Sequence, residues 1–169
     1  LFLLNGLSKL KPEGRMAIIQ NGSSLFTGDA GSGQSEIRRY LIESDWLDAI
    51  VQLPNDSFYN TGIATYIWII TKDKPSEHIG KCYESRRKSI GNKRVDITEV
   101  CRDLIVKAYG EYRDNTYEQD LESGSKIVCK SRVLDSVALG YNKIAVESPL
   151  LDEDGNKVLK KGKPVADPK

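Results

Sequence analysis

The residues best suited to contact a nucleic acid lie in the run ESRRKSIGNKR. Within nine residues it carries five cations: Arg86, Arg87, Lys88, Lys93 and Arg94. Cations on a flexible, glycine-containing segment can follow a phosphate backbone, although a solvated charged loop has the same composition. Because the 169-residue chain has a net charge of only +1, a nucleic-acid contact would depend on this local cluster and not on the overall field.

A second candidate site is a loop that presents two aromatic side chains. Phe58 and Tyr59 stand in the polar stretch NDSFYNTG, directly before the apolar run IATYIWII, which predicts a buried strand. A connection at the mouth of a strand needs only turn residues, so the aromatic pair requires another explanation. One is that Phe58 plugs the core beneath the loop; the other is a ligand contact.

Two further patterns could belong to a functional site, but a structural role explains each of them better. The loop at residues 22–33 is rich in glycine. A phosphate-binding loop has the pattern G-x-x-x-x-G-K-[ST], but here Asp29 follows Gly28 and its negative charge would repel a phosphate. We therefore predict a mobile connection. His78 is the only histidine. A catalytic triad would depend on it alone, and its polar surroundings predict a solvated loop residue.

The cysteine pattern and the apolar runs bound the class of protein. Three widely spaced cysteines without a C-x-x-C pair predict neither a metal site nor a disulfide framework, and they favour a reducing cytoplasm. No apolar run approaches the roughly 20 residues that cross a bilayer. We therefore expect no membrane association.

The elements that would position these residues alternate between helix and strand. Helical spacing predicts a helix over 1–10, and Ser35 is the predicted N-cap of the next helix, with Glu36 in its first turn. Apolar runs predict strands over 16–20, 46–54, 63–71 and 125–134, an amphipathic helix over 95–112 and a hairpin around Asp154–Gly155. This order predicts an α/β layer fold with a largely parallel sheet, and the third strand could pair antiparallel at an edge.

Two long phrases resemble a known family. GRMAIIQNGSSLFTGDAGSGQSEIRR and FYNTGIATYIW closely resemble the methyltransferase (M) subunit of type I restriction-modification systems, and the likeness resumes with RRKSIGNKR and GYNKIAVESPL. These subunits are site-specific DNA adenine-N6 methyltransferases that use S-adenosylmethionine. The resemblance implies the C-terminal half of a Rossmann-like methyltransferase sheet, followed by an α-rich C-terminal extension.

The resemblance also implies what this chain lacks. The family's donor-binding loop and its Asn-Pro-Pro-aromatic tetrapeptide match nothing here, so the chain would begin in the helix after the tetrapeptide. We expect no catalytic, cofactor-binding or metal residue in this chain, and no cofactor on the chain alone. The implied partners are double-stranded DNA and the specificity and restriction subunits of the same system.

The resemblance assigns roles to both candidate sites. Phe58, Tyr59 and Asn60 would line the target-base pocket, with Phe58 stacking on a flipped adenine, and the five cations of the basic run would contact the DNA backbone. The implied division is residues 1–72 in the methyltransferase domain, 73–95 as a polar and basic connection with a strand shortened near Gly80–Cys82, and 96–169 as the helix-containing extension and tail. The alternative is a non-catalytic module that docks subunits or binds the DNA backbone.

Overall fold

The computed structural model describes residues 2–59, 62–87, 97–121, 124, 126–140, 148–160 and 163–165, with the backbone alone for 84–87. Its α-helices are α1 (Phe2–Lys9), α2 (Ser23–Phe26), α3 (Gly33–Glu43) and α4 (Glu99–Glu111). Its strands are β1 (Arg15–Asn21), β2 (Leu47–Gln52), β3 (Thr65–Thr71), β4 (Lys81–Arg87), β5 (Asn115–Asp120), β6 (Lys126–Asp135), β7 (Leu159–Lys160) and β8 (Lys163–Pro164). Two short 3₁₀ helices span Ser76–His78 and Ser136–Leu139.

Six strands form one mixed sheet in the order β1-β3-β2-β4-β6-β5. β2 and β4 are parallel, and the other neighbouring strands pair antiparallel. The α/β class is confirmed, but the prediction of a largely parallel sheet is wrong, and the third strand lies inside the sheet instead of at an edge. One reason is that β3 returns from β2 without a crossover helix and inserts between β1 and β2, antiparallel to both. The other is that β6 pairs antiparallel with both β4 and β5.

Apolar side chains pack on both faces of this sheet. On one face, α1, α2 and α3 cover a first core, whose buried members are Leu7, Leu41, Leu47, Ile50, Trp68, Ile70 and Cys82. On the other face, α4 covers a second core, formed by Ala49, Tyr83, Cys101, Leu104, Ala108, Tyr117, Ile127 and Cys129. All three cysteines are buried.

The helices of the first core begin and end on specific contacts. α1 is present as predicted, and the Lys72 ammonium donates to the carbonyls of Leu7 and Leu10 at its C-terminal end, both at 3.1 Å. The predicted cap of α3 is wrong by three residues. Ser32 is the N-cap, and its Oγ accepts a hydrogen bond from the backbone N–H of Ser35 at 3.4 Å, because a capping side chain precedes the helix and reaches forward to its first turn.

The region after residue 72 contains more strand than its sequence predicts. Residues 73–95, expected to form a polar connection, contain β4, and the strand expected to be shortened near Gly80–Cys82 has seven residues. The predicted helix and the predicted strand of the extension are present as α4 and β6. β5 also extends the sheet, so this region is not rich in helix alone.

The predicted hairpin around Asp154–Gly155 is confirmed. Leu151 and Lys157 form an antiparallel bridge, and Gly155 adopts a φ of 80°, which a residue without a side chain accommodates easily. β7 and β8 then form a two-stranded sheet of their own.

Asp45 connects the turn before β2 to the segment before β4. Its Oδ1 lies 2.6 Å from the Lys74 ammonium, and its Oδ2 accepts a hydrogen bond from the Gly80 N–H at 2.7 Å. Burial raises the pKa of Asp45, but the Gly80 N–H and Lys74 together outweigh it, so the pKa lies below its usual value of 3.8. The stability from this lowered pKa is present above about pH 4 and is lost as the pH falls through the lower pKa of the folded state.

We expect Asp45→Asn to reduce the free energy of unfolding at pH 7 by about 1–2 kcal/mol, because the hydrogen bonds that this charged group accepts from Lys74, the Gly80 N–H and the Ser136 hydroxyl are weakened. Asparagine tolerates the positive φ of 53° at this position. The deficit should shrink at pH 3, as measured by urea unfolding at both values. Asp56→Asn is the matched control, since Asp56 also has a positive φ, of 60°; an equal effect of the two substitutions at both pH values would contradict this role of Asp45.

Candidate functional site

The carboxyl ends of β1, β2 and β4 lie along one edge of the sheet. β1 and β2 both run antiparallel to β3, where Asn21 pairs with Thr65 and Gln52 pairs with Tyr66. β4 runs parallel to β2, and Arg86 pairs with Gln52. We term this border the carboxyl-end edge. Ligands of open α/β sheets bind outside the carboxyl ends of the strands, so this edge is the first place to expect a site.

Two loops emerge side by side at the carboxyl-end edge. Residues 22–32 follow β1, and residues 53–64 follow β2. A hydrogen bond from the Gly22 N–H to the Ala64 carbonyl, 3.1 Å long, joins them. The first loop contains the short helix α2 and ends at the cap of α3, so part of the region predicted to be a mobile connection is regular structure.

The loop at 53–64 has a buried base and an exposed tip. Leu53 and Pro54 are buried, and the Ser57 hydroxyl donates to the Pro54 carbonyl at 2.6 Å. Phe58 is 40% exposed and Tyr59 is 84% exposed. Neither belongs to an apolar core, which argues against Phe58 as a core plug. Asn60 lies outside the described residues, and the target-base role of all three stays a prediction.

The basic run begins at the same edge. Arg86 and Arg87 are the last residues of β4, so their backbone leaves the sheet beside the start of the loop at 53–64. Lys88, Lys93 and Arg94 lie outside the described residues. The structure therefore brings the start of the basic run and the aromatic loop to one edge, while backbone contact with DNA stays a prediction.

Sequence reasoning missed a buried polar network at the opposite, amino-terminal edge. Asp48 is fully buried; its Oδ1 lies 2.9 Å from His78 Nδ1, and its Oδ2 accepts a short hydrogen bond from the Tyr109 hydroxyl. The Tyr112 hydroxyl donates to the Asp48 carbonyl at 3.1 Å. The β2–β3 register shifts between Leu47 and Ala49, so Asp48 occupies a bulge, a feature that re-aims a side chain.

The prediction that His78 is a solvated loop residue is wrong. Its side chain is 13% exposed, and its ring stacks on Tyr112 with the centroids 3.4 Å apart. These partners are 30 or more residues away in the sequence, so local polarity gave no sign of them. Both carboxylate oxygens of Asp48 are occupied, and the network therefore holds α4 and the 3₁₀ helix Ser76–His78 against the sheet.

The two tyrosines of this network remain protonated. Burial first, and then the hydrogen bond to Asp48, raise the pKa of Tyr109 above its usual 10.0. Burial and the Asp48 charge do the same to the pKa of Tyr112. A raised pKa contributes stability below about pH 10 that is lost as the pH rises through the folded-state values.

Two properties of the described ranges bear on the kind of site. Across these ranges, no helix combines the length and apolar character needed to cross a bilayer. Nor do His, Cys, Asp or Glu side chains within them come together in threes to hold a metal ion.

Comparison with known proteins assigns the family. The profile of the N-6 DNA methylase family matches residues 1–143, most of the chain. The chain belongs to the N-6 DNA methylase family. The resemblance to methyltransferase subunits of type I restriction-modification systems is confirmed with it.

Individual relatives of this N-6 DNA methylase chain include methylase subunits of type I restriction enzymes. The type I restriction enzyme MjaIX methylase subunit of Methanocaldococcus jannaschii is 31% identical over 155 residues, covering 86% of this chain and 24% of that protein. The MpnII methylase subunit of Mycoplasma pneumoniae is 37% identical over 73 residues, covering 43% of this chain and 13% of that protein. The chain thus spans about a quarter or less of the length of these two relatives.

Solved structures support the fold of the N-6 DNA methylase chain. The type I restriction-modification methyltransferase subunit from Streptococcus thermophilus superposes with a TM-score of 0.60 at 25% identity, over 80% of this chain and 26% of that one. The type I restriction enzyme EcoKI M protein gives a TM-score of 0.56 at 20% identity, over 79% and 33%. The Rossmann-like methyltransferase fold is confirmed.

Proposed function

We propose that the chain is the C-terminal half of the catalytic domain, with part of the extension, of a site-specific DNA adenine-N6 methyltransferase. The intact protein is the modification subunit of a type I restriction-modification system in the cytoplasm. It uses S-adenosylmethionine, and its partners are double-stranded DNA and the specificity and restriction subunits. The donor-binding loop and the catalytic tetrapeptide belong to the remainder of the protein.

The carboxyl-end edge is the observation that carries this proposal. The aromatic loop and the first residues of the basic run leave neighbouring strands, β2 and β4, at the same end. A base taken out of a duplex needs a stacking surface, and the flanking phosphates need cations. This combination at one edge supports a wall of the target-base pocket beside a track for the DNA backbone.

The unpaired edge and the exposed face of β1 support a sheet that continues beyond this strand. Among the described residues, no strand pairs with the outer edge of β1. Alternate β1 residues are exposed on the face opposite α1, and Ile19 is 51% exposed there. An apolar strand with an unpaired edge and an uncovered face can pair with other chains unless further structure covers it. The other half of the proposed methyltransferase sheet would cover it.

The alternative, a non-catalytic docking module, has no use for the exposed aromatic loop. The direct test is methyl transfer by the intact subunit with its specificity subunit, using tritiated S-adenosylmethionine and DNA that carries the recognition site. We expect label on adenine N6. Transfer to cytosine would contradict the proposed adenine-N6 specificity, and DNA binding without any transfer would contradict the proposal and favour the docking module.

We expect the isolated chain not to bind S-adenosylmethionine, because the donor loop is assigned to the remainder of the protein. Calorimetric titration should give no binding heat up to millimolar donor, while the intact subunit should give a saturable signal. A micromolar dissociation constant for the chain alone, roughly −8 kcal/mol, would show that the donor site is formed within these residues.

We expect the basic run to contact phosphates without reading bases. Replacing Arg86, Arg87 and Lys88 by alanine in the intact complex should weaken specific and non-specific DNA binding about equally. The slope of log K against log salt should decrease by up to about 2.7, or about 0.9 per lost contact. Alanine at the exposed Lys9 and Lys11, near the opposite edge, is the control and should leave the slope unchanged; an unchanged slope in the triple variant would mark the run as a solvated loop.

A further inference from the structure

The first core borders a partly open cavity of about 270 Å³ between α3, the sheet and the 3₁₀ helix Ser136–Leu139. Its wall is mostly apolar and includes Leu25, Ile42, Leu47, Ile50, Leu134 and Leu139. The cavity has side chains of α3 and of the 3₁₀ helix on its wall. It is smaller than most sites for drug-sized ligands, which suits a molecule with one ring or one branched chain.

Two residues on this wall carry a buried donor that has no acceptor among the described residues. Trp68 lines the cavity and is 2% exposed, and its Nε1–H has no hydrogen-bond partner within the described ranges. Arg38 also lines the cavity; its Nη1 donates to the Ser24 carbonyl at 3.2 Å, but its buried Nη2 has no partner in the part of the chain that the structure describes. Buried polar groups are almost always hydrogen-bonded, so two unpartnered donors on one small cavity require an explanation.

The charge on Arg38 is also unneutralised. On the same helix, Glu36 and Glu43 form ion pairs with Arg39, the second at 3.8 Å. Arg38 forms no ion pair in the part of the chain that the structure describes. A guanidinium in partly apolar surroundings has its strongest interactions with carboxylates and phosphates, and the small apolar cavity favours a carboxylate over a bulkier, strongly hydrated phosphate.

We propose that this cavity binds a small amphipathic carboxylate. Its carboxylate accepts hydrogen bonds from Arg38 and the Trp68 indole N–H, and its aromatic or branched aliphatic body fills the apolar part. The site is on the face of the sheet covered by α3 and is separate from the loop at 53–64. It does not depend on the proposed methyltransferase activity.

The test uses 3-phenylpropionate as the probe and the two tryptophans of the chain as reporters. In a ¹H–¹⁵N spectrum of the full chain, the indole signal of Trp68 should shift saturably, with a dissociation constant of about 1 mM or tighter. The indole signal of Trp46 is the internal control and should not move with the same curve. The uncharged amide, 3-phenylpropionamide, should bind at least tenfold more weakly.

Variants separate the donors from the cavity. Arg38→Met should weaken binding at least tenfold, and Arg39→Met, an exposed neighbour, should leave it unchanged. Leu139→Phe keeps both donors but narrows the cavity, and it should also weaken binding at least tenfold. The proposal is overturned if no saturable shift occurs, if acid and amide bind equally, or if either Arg38→Met or Leu139→Phe binds like the wild type while retaining its fold by circular dichroism.

Discussion

Replacing Asp48 with alanine should lower the free energy of unfolding by about 3–5 kcal/mol, the largest stability effect we expect in this chain. The substitution leaves His78 Nδ1 and the Tyr109 hydroxyl buried without their partner, and removing one member of a buried polar pair costs this much. For a chain of this length the melting temperature should fall by about 10 °C.

Three variants make the Asp48 prediction specific. Asp103→Ala removes an exposed aspartate from α4 and should change stability by no more than about 0.5 kcal/mol. Asp48→Asn keeps the shape and should cost less than alanine. Tyr109→Phe removes one hydrogen bond to the buried carboxylate and should cost about 1.5–3 kcal/mol. If Asp48→Ala unfolds at the same denaturant concentration as Asp103→Ala, the network does not hold the sheet and α4 together.

Replacing Phe58 with alanine in the intact enzyme should reduce methylation by roughly 5- to 150-fold. Stacking of one base on an aromatic side chain is worth about 1–3 kcal/mol, and each 1.36 kcal/mol is a factor of ten in rate. Folding should be intact, because Phe58 is 40% exposed and belongs to neither core. The measurement is kcat/KM for methyl transfer, beside the melting temperature.

Phe58→Trp should retain much of the activity, since its larger ring can stack on the same base. Ile79→Ala, which removes an exposed apolar side chain near the opposite edge of the sheet, is the control and should leave methylation unchanged. A Phe58→Ala variant that loses several degrees of melting temperature but no activity would identify the residue as part of the core.

The elements that sequence predicted well are those with a repeated apolar pattern. The leucine spacing of α1 and the apolar stripe of α4 each specify a helix face, and β1 and β3 have continuous apolar runs. β5 was not predictable in this way because only Tyr117 of its six residues is buried. β4 looks like a polar connection because its sequence, KCYESRR, is mostly polar. Of the three β4 residues whose burial is described, Cys82 and Tyr83 enter the cores.

The long-range contacts were beyond the reach of local patterns. Asp48 lies in the apolar run WLDAIVQLP, where a single acid gives no sign that its partners are His78 and Tyr109, 30 and 61 residues away. Strand direction depends on the same kind of information, since the insertion of β3 between β1 and β2 and the pairing of β6 with β4 and β5 together make most of the sheet antiparallel. The placement of the aromatic loop and the start of the basic run at one edge likewise depends on the parallel pairing of β2 with β4.

The most direct measurement of the proposed target-base wall places 2-aminopurine at the adenine to be methylated and records its fluorescence in the intact enzyme. With wild-type enzyme and with Phe58→Trp, a flipped base stacked on an aromatic ring should remain largely quenched. With Phe58→Ala, the base should become brighter and the DNA should bind more weakly. Equal fluorescence and equal affinity for wild type and Phe58→Ala would contradict a role for the loop at 53–64 in holding the flipped base.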